Sequence, residues 1–363
     1  MRIGLLIYGD IDSVSGGYLY DRKLVEYLRR NGEQVVVISL PPRRFWWQLT
    51  DNLRRDVLGQ IDAARLDILI QDAMVQPSVF ALNRHLPLPV VGLVHLLNSF
   101  ESHPRYSRWL FRAIERRYLA TLSGLIANSQ TTLAQLQQLL PSSLPPHCLA
   151  LPAADNFTGA DTEIDADFVR RRALAAGPLR ILVVGNVIRR KRLHVLIQAL
   201  RQLPANDYRV TIAGRLDMEP GYVARIRKLI NGNGLTASVK FQGPVQGTTL
   251  AGFYRQHQIM VLPSIYESYG IVYAEAQQFG LPAIGTRAGA ASEIIGHNQH
   301  GYLIEPDDAN ELAAILKHWH GDRQLLAGLS ENALANFATL PRWDDSCGTI
   351  HRFLGEICRL VAG

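Results

Sequence analysis

The feature that most constrains this chain of 363 residues is an alternation, run through twice, of short apolar stretches with amphipathic helical ones. Residues 3–8, 34–40, 67–71, 90–95, 124–128 and 148–151 are of strand length and apolar almost throughout. A strand with no polar side needs cover on both faces, which a parallel sheet between layers of helices supplies. The segments between these runs follow a helical period. Leu24, Val25 and Leu28 share one face of the first, and Gly32 ends it. Ser129 is placed to cap a helix that runs to Leu140 and stops at Pro141. The alternation restarts with strands at 179–185, 208–213, 239–242, 259–262, 282–285 and 302–304, and the C-terminal residues read as helical. Two Rossmann-like domains in tandem, each an open α/β sheet, fit this order.

Between the two series the rhythm breaks. Pro152, Gly159, the acidic residues Asp155, Asp161, Glu163, Asp165 and Asp167, and Gly177-Pro178 interrupt the chain as a linker does. The expected organisation is an N-terminal domain over 1–155, a linker region over 156–178, a C-terminal domain over 179–340, and a helix over 341–363 that returns to the N-terminal domain. Hydrophobic residues make up 47% of the chain and charged ones 19%, which excludes a mainly disordered protein. No apolar run approaches the roughly 20 residues of a spanning helix, and the first one reaches Asp10 too soon for a signal peptide. Three cysteines, Cys148, Cys347 and Cys358, have neither a disulfide nor a metal spacing. A cytoplasmic location is expected.

Chemistry concentrates in residues 262–276. Glu267 falls in the loop after an apolar strand, and Glu275 lies one to two turns into a helix that starts near Gly270. The amides of Gly270, Ile271 and Val272 are then the unpaired donors of a helix start, suited to an anion such as a diphosphate. A carboxylate inside that helix can accept both hydroxyls of a ribose. Taken alone, Glu275 between Ala274 and Ala276 reads better as a solvated glutamate.

The string Pro263-Ser264-Ile265-Tyr266-Glu267-Ser268-Tyr269-Gly270-Ile271-Val272, continued by Glu275-Ala276, Gly280-Leu281-Pro282-Ala283 and the stretch from Gly289 to Glu293, resembles the donor-binding core of family 4 glycosyltransferases. The similarity extends to Gly16-Gly17 opening a helix, to the strand ending in His95, to Val183-Val184-Gly185 with a basic run to Lys191, and to Phe241-Gln242-Gly243-Pro244-Val245. The resemblance implies the two-domain GT-B fold, with parallel sheets facing across a cleft. It also implies a nucleotide-diphosphate sugar, UDP- or GDP-linked, as donor, and transfer with retention of anomeric configuration.

Residue by residue, the resemblance places Lys191 on the donor phosphates, Glu267 near the sugar ring and diphosphate, and Glu275 on the ribose. It places Gly243 and Val245 at the base, with Gly270, Ile271 and Val272 as helix-start donors. Gly16 and Gly17 belong to the loop that closes on the phosphates, and His95 lies near the transferred sugar as a hydrogen-bonding group rather than a general base. The family's usual partner of the lysine is an arginine directly after the glycine. Here Asn186 follows Gly185, so Arg189 or Arg190 is expected to reach back. Asp12 and Tyr18 border the N-terminal loop and are candidates for acceptor contact.

No carboxylate nucleophile for a double displacement stands out, and the resemblance implies front-face transfer of a hexosyl unit to a glycan, lipid-linked or small-molecule hydroxyl. Asp10-Ile11-Asp12 has the metal-binding Asp-x-Asp pattern, but loop aspartates commonly cap turns; neither a metal nor a cofactor is expected. Two other readings stand beside this one, a sugar-nucleotide 2-epimerase of the same fold and a non-catalytic nucleotide-sugar-binding protein. The net charge of +6 comes without a nucleic-acid-binding motif. Its N-terminal part is concentrated in Arg43-Arg44-Phe45-Trp46-Trp47 and in a helical stretch with Arg105, Arg108, Trp109, Phe111, Arg112, Arg116 and Arg117. Either these aromatics are buried in the domain core, or the segments seat on an anionic membrane or hold an anionic glycan.

Overall fold

The computed structural model describes residues 1–100, 105–157, 159 and 164–362. The chain divides into two compact units, Met1–Pro152 with Pro341–Gly363, and Ala153–Leu340.

The first unit is built on strands β1 (Arg2–Tyr8), β2 (Gln34–Leu40), β3 (Ile68–Asp72), β4 (Val90–Val94), β5 (Gly124–Ala127) and β6 (His147–Leu149). They form one sheet in the order β2-β1-β3-β4-β5-β6, with every pairing parallel. Helices α1 (Gly16–Arg30), α2 (Phe45–Thr50), α3 (Arg55–Ala63), α4 (Gln76–Val79), α5 (Arg105–Leu119) and α6 (Gln130–Leu139) connect them. β3 and β4 are buried at every position, as strands covered on both faces must be. Local sequence fixes the helix ends: Ser15 and Ser129 accept the amides of Tyr18 and Thr132 as N-caps, and Gly32 turns the chain after α1 at φ 84°. The C-terminal helix α14 packs on α1 and β6 of this unit, and Ser346 Oγ donates to the carbonyl of Leu151 at 2.6 Å.

The second unit contains α7 (Ala166–Leu174), β7 (Leu179–Val184), α8 (Leu193–Leu200), β8 (Tyr208–Ala213), α9 (Pro220–Gly232), β9 (Val239–Gly243), α10 (Gly247–Gln256), β10 (Ile259–Val261), α11 (Ile271–Gln278), β11 (Ala283–Thr286), β12 (Gly301–Ile304), α12 (Ala309–Gly321) and α13 (Arg323–Phe337); α14 (Trp343–Ala362) follows it in the chain. Its sheet runs β12-β11-β10-β7-β8-β9, again all parallel. Both sheets carry the α/β architecture that the alternation predicts.

The stretch expected as a linker, 156–178, differs from that reading. Asp161 and Glu163 lie outside the described residues, but α7 packs against α13 within the second unit. Arg172 on α7 is buried and donates to the carbonyls of Phe279 and Gly280 at 2.7 and 2.8 Å. Burial pushes its guanidinium down to about 9. Composition misled here because Asp165 and Asp167 belong to a helix N-terminus: Asp165 caps α7 through the Phe168 amide, where negative charge is favourable.

Candidate active site

In the second unit, adjacent parallel strands bring their carboxyl ends together, and the candidate donor residues follow those ends. β10 pairs β7, so the loop after β7, which carries Lys191, lies beside the loop after β10, which carries Glu267. The Ile265 amide donates to the Arg190 carbonyl at 2.9 Å and joins the two loops. Lys191 Nζ donates to Glu267 Oε1 at 2.6 Å. Arg190 Nη1 lies 3.4 Å from Glu267 Oε2 and donates to the Tyr266 carbonyl at 2.9 Å. Of the two arginines expected to reach back, Arg190 is the one turned toward Glu267. Arg189 is turned toward Glu219 and its side chain is 78% exposed.

Burial raises the Glu267 carboxyl, but the charges of Lys191 and Arg190 outweigh it and hold the group below the ordinary carboxylate range. Burial lowers the Lys191 ammonium despite Glu267. Glu267 is therefore an ionised carboxylate between two cations. Its backbone is fixed from the other side, where its carbonyl accepts the Ala290 amide at 2.8 Å. Gly289 has φ 78°, and a Cβ there would stand 2.2 Å from the Glu267 carbonyl oxygen. Only glycine fits that approach.

Gly270 precedes α11 at φ 90°. No side chain caps this helix, so the amides of Ile271 and Val272 are left facing outward from its first turn. Glu275 is the fifth residue of α11 and is buried. Its Oε1 accepts from Asn156 Nδ2 at 2.8 Å and its Oε2 from the Tyr254 hydroxyl at 2.9 Å. Burial, only partly offset by those two hydrogen bonds, pushes its carboxyl up to about 7. Each oxygen keeps a further lone pair for another donor. Gly243 ends β9, and its carbonyl accepts the Gly214 amide at 2.8 Å; Val245 follows in the next loop. Asn186 does not stand in for the absent arginine, since its Oδ1 accepts the Arg215 amide at 3.2 Å and ties the loops after β7 and β8 together.

In the first unit, Gly16 and Gly17 open α1. Tyr18 is half-buried, and its hydroxyl donates to the Tyr8 carbonyl at 2.6 Å, which accounts for it as packing at the end of β1. The Asp12 amide donates to Asp10 Oδ1 at 2.9 Å, a turn-capping geometry. His95 directly follows β4 and is buried, with Nε2 3.3 Å from Asp21 Oδ1. Asp72, the last residue of β3, completes a cluster with them.

A family model described as glycosyl transferases group 1 matches residues 166–335. D-inositol 3-phosphate glycosyltransferase of Arthrobacter sp. (strain FB24) is 30% identical over 311 residues, covering 79% of this chain and 71% of that protein. The chain belongs to the group 1 glycosyltransferases. With further relatives of the same name the alignment spans about half of their length, 50% and 49% in two cases. Among solved structures, sucrose-phosphate synthase from Thermosynechococcus elongatus superposes with TM-score 0.83 at 20% identity over 98% of both chains. HepE of Anabaena, solved with UDP and glucose, gives TM-score 0.77 at 20% identity, covering 98% of this chain and 99% of that one. This glycosyltransferase therefore has the GT-B fold.

Its sequence hides several residues that the fold brings to these places. Asp21 sits on α1 within the buried stripe of Tyr20, Leu24, Val25 and Leu28, and an acid on an apolar face is a legible signal. Asp72 ends an apolar strand as His95 does. Asn156 and Tyr254 carry no such mark, because their partner Glu275 is distant in sequence.

Proposed function

We propose that this glycosyltransferase moves a hexosyl unit from a nucleotide-diphosphate sugar to an acceptor hydroxyl with retention of configuration. The observation that carries the reading is the Lys191–Glu267–Arg190 cluster beside the uncapped start of α11. As the sugar–phosphate bond breaks, negative charge grows on the departing diphosphate, and preorganised cations and amides stabilise it most at that moment. Lys191, Arg190 and the amides of Gly270, Ile271 and Val272 take that role. Glu267 orients Lys191 and faces the sugar. Glu275, Gly243 and Val245 hold ribose and base, with Gly185 leaving room beside the Lys191 side chain. In front-face transfer the acceptor oxygen bonds the anomeric carbon on the side that the diphosphate leaves, and a phosphate oxygen takes the acceptor proton. Gly16, Gly17 and His95 serve the phosphates and the transferred sugar, and neither a metal nor a cofactor is invoked. UDP- and GDP-sugars are the donors to compare. Thermal-shift screening against both, followed by product analysis with Lys191→Ala as control, tests the reading; undiminished transfer by that variant contradicts it.

The acceptor is a glycan, lipid-linked or small-molecule hydroxyl, met by a cytoplasmic enzyme that touches an anionic membrane. No described helix is long and apolar enough to cross a membrane, so such contact would be peripheral. Trp46, Trp47 and Trp109 are 68%, 63% and 72% exposed; core burial, the alternative expected from sequence, is not where these indoles are. Phe45 and Phe111 pack ring to ring at 4.9 Å and join α2 to α5, with Arg44, Arg108 and Arg112 exposed around them. The side chain of Arg105 lies outside the described residues. Indoles and arginines together suit an interface of acyl chain and phosphate. Co-sedimentation with anionic vesicles, lost on adding salt and in Trp46→Ala/Trp47→Ala, supports it; equal, negligible binding to anionic and neutral vesicles contradicts it.

A further inference from the structure

His95 stands in an unusual charge environment. One oxygen of Asp21, one oxygen of Asp72 and a ring nitrogen of His95 all lie within 4.8 Å of one another. Asp21 is fully buried, and Asp72 and His95 are nearly so. The topology enforces the meeting: β3 and β4 are parallel neighbours, with Asp72 opposite Leu93, and Asp21 of α1 meets the residues at their carboxyl ends. The histidine backbone is fixed by Asn128, whose Nδ2 donates to the His95 carbonyl at 3.1 Å and whose Oδ1 accepts from Thr132 Oγ1 at 2.8 Å. Tyr20 meets the imidazole edge-on at 5.2 Å and is itself backed by Trp343 at 5.3 Å.

Neither carboxyl has an arginine or lysine partner among the described residues. Asp21 Oδ1 faces His95, and Asp21 Oδ2 is buried with no partner. Asp72 Oδ1 accepts the Met74 amide at 2.9 Å. The other titratable groups acting there are phenols, Tyr18 on α1, Tyr8 on β1 and Tyr118 on α5, all raised by burial and by Asp72 and so neutral. Asp10 and Asp51 act on Tyr18 and Tyr8 from further out. Among the described residues the imidazole is the cation that faces Asp21 and Asp72. Two adjacent carboxylates out of water cannot both ionise against it without leaving a net negative charge; one retained proton and a protonated ring make the cluster neutral.

We propose that Asp21 and Asp72 are positioning residues for His95: two buried carboxyls that hold the imidazole as a cation with Nε2 turned to Asp21. Nδ1 has no partner among the described residues and remains to donate to an oxygen of the transferred sugar. This rests on the reading of His95 as a sugar-contacting group. Gly17 lies beside the ring, where a Cβ would make ordinary contact with His95 Cδ2 at 3.5 Å, on the Cδ2–Nε2 edge and away from Nδ1. The direction of the shifts agrees. Burial lowers the imidazole but Asp21, by hydrogen bond and charge, and Asp72 more than restore it; burial, then Asp21, lift the Asp72 carboxyl to about 7.

The test is a pH titration of the His95 ring nitrogens by NMR in the full chain, with the signal assigned by its loss in His95→Gln, run beside the pH profile of kcat. In the parent the ring stays protonated above the ordinary histidine range. Asp21→Asn lowers its titration by at least one pH unit and moves the alkaline limb of kcat by the same amount, about tenfold less turnover on that limb. Donor KM is unchanged. Asp72→Asn moves both the same way by less, and remains informative if Asp21→Asn does not fold. An unmoved titration in the folded variants, or a stoichiometric divalent cation in the purified protein, overturns the proposal. If the titration moves but His95→Gln transfers sugar at the parental rate, the sugar-contact reading fails while the charge arrangement stands.

Discussion

The Lys191–Glu267 cluster of the second unit and the Asp21–Asp72–His95 cluster of the first are both buried, and they resolve their charge in opposite ways. In the second unit one carboxylate faces two cations, so Glu267 stays ionised and the surplus is positive. In the first, two carboxyls face one imidazole, and Asp72 rises to about 7. The same burial therefore gives a site ready for an anion in one place and a site that retains protons in the other. What decides between them is the count of opposite charges within reach, not the depth of burial.

The strongest way to break this comparison is to remove the surplus cation. Lys191→Ala should lower kcat/KM by about 10²–10³-fold, the range for one preorganised donor to a developing oxyanion. It also leaves Glu267 buried with only Arg190, so denaturant melts should show a loss of about 3–5 kcal/mol. Next comes Gly289→Ala, which forces a Cβ against the Glu267 carbonyl at a positive φ. Transfer should fall at least about tenfold and stability by roughly 1–3 kcal/mol, read by kinetics and melts on one preparation.

Glu275 sharpens the comparison, being buried like Glu267 but without a cation. Its folded carboxyl is raised from 4.5 to about 7, so the folded state binds the extra proton. Its contribution is fully present below the unfolded value and is lost as pH rises from about 4.5 to 7. Glu275→Gln should flatten that part of the stability curve, by up to about 3 kcal/mol. Donor affinity should run the other way in the parent, weakening below pH 7 as the carboxylate that accepts ribose hydroxyls is protonated. The smallest effect belongs to Gly17→Ala. Its backbone needs no positive φ and its Cβ makes ordinary contact, so melting should be unchanged within about 0.5 kcal/mol while turnover falls by a few fold.

Most of the fold was legible because a strand buried on both faces writes a continuous apolar run. All six runs in each half became strands of one parallel sheet. That Lys191 and Glu267 belong to one site was implied by the glycosyltransferase resemblance; their direct ion pair, and the turn of Arg190 rather than Arg189 toward Glu267, were not, since they depend on which side chains the loop after β7 turns inward. α7 was missed because its acidic cap imitates a linker. The partners of Glu275 and the two aspartates beside His95 were missed for another reason: contacts between residues 21, 72 and 95, or between 156, 254 and 275, exist only after the strands pair.

The central claim, that the second unit holds a nucleotide diphosphate through Lys191, is tested most directly by calorimetric titration of UDP, GDP and the matching nucleosides into the parent and Lys191→Ala. The parent should bind one of the diphosphates. In the variant that affinity should drop by at least about 30-fold, roughly 2 kcal/mol, with nucleoside binding unchanged. Equal diphosphate affinity in a folded variant would contradict the account.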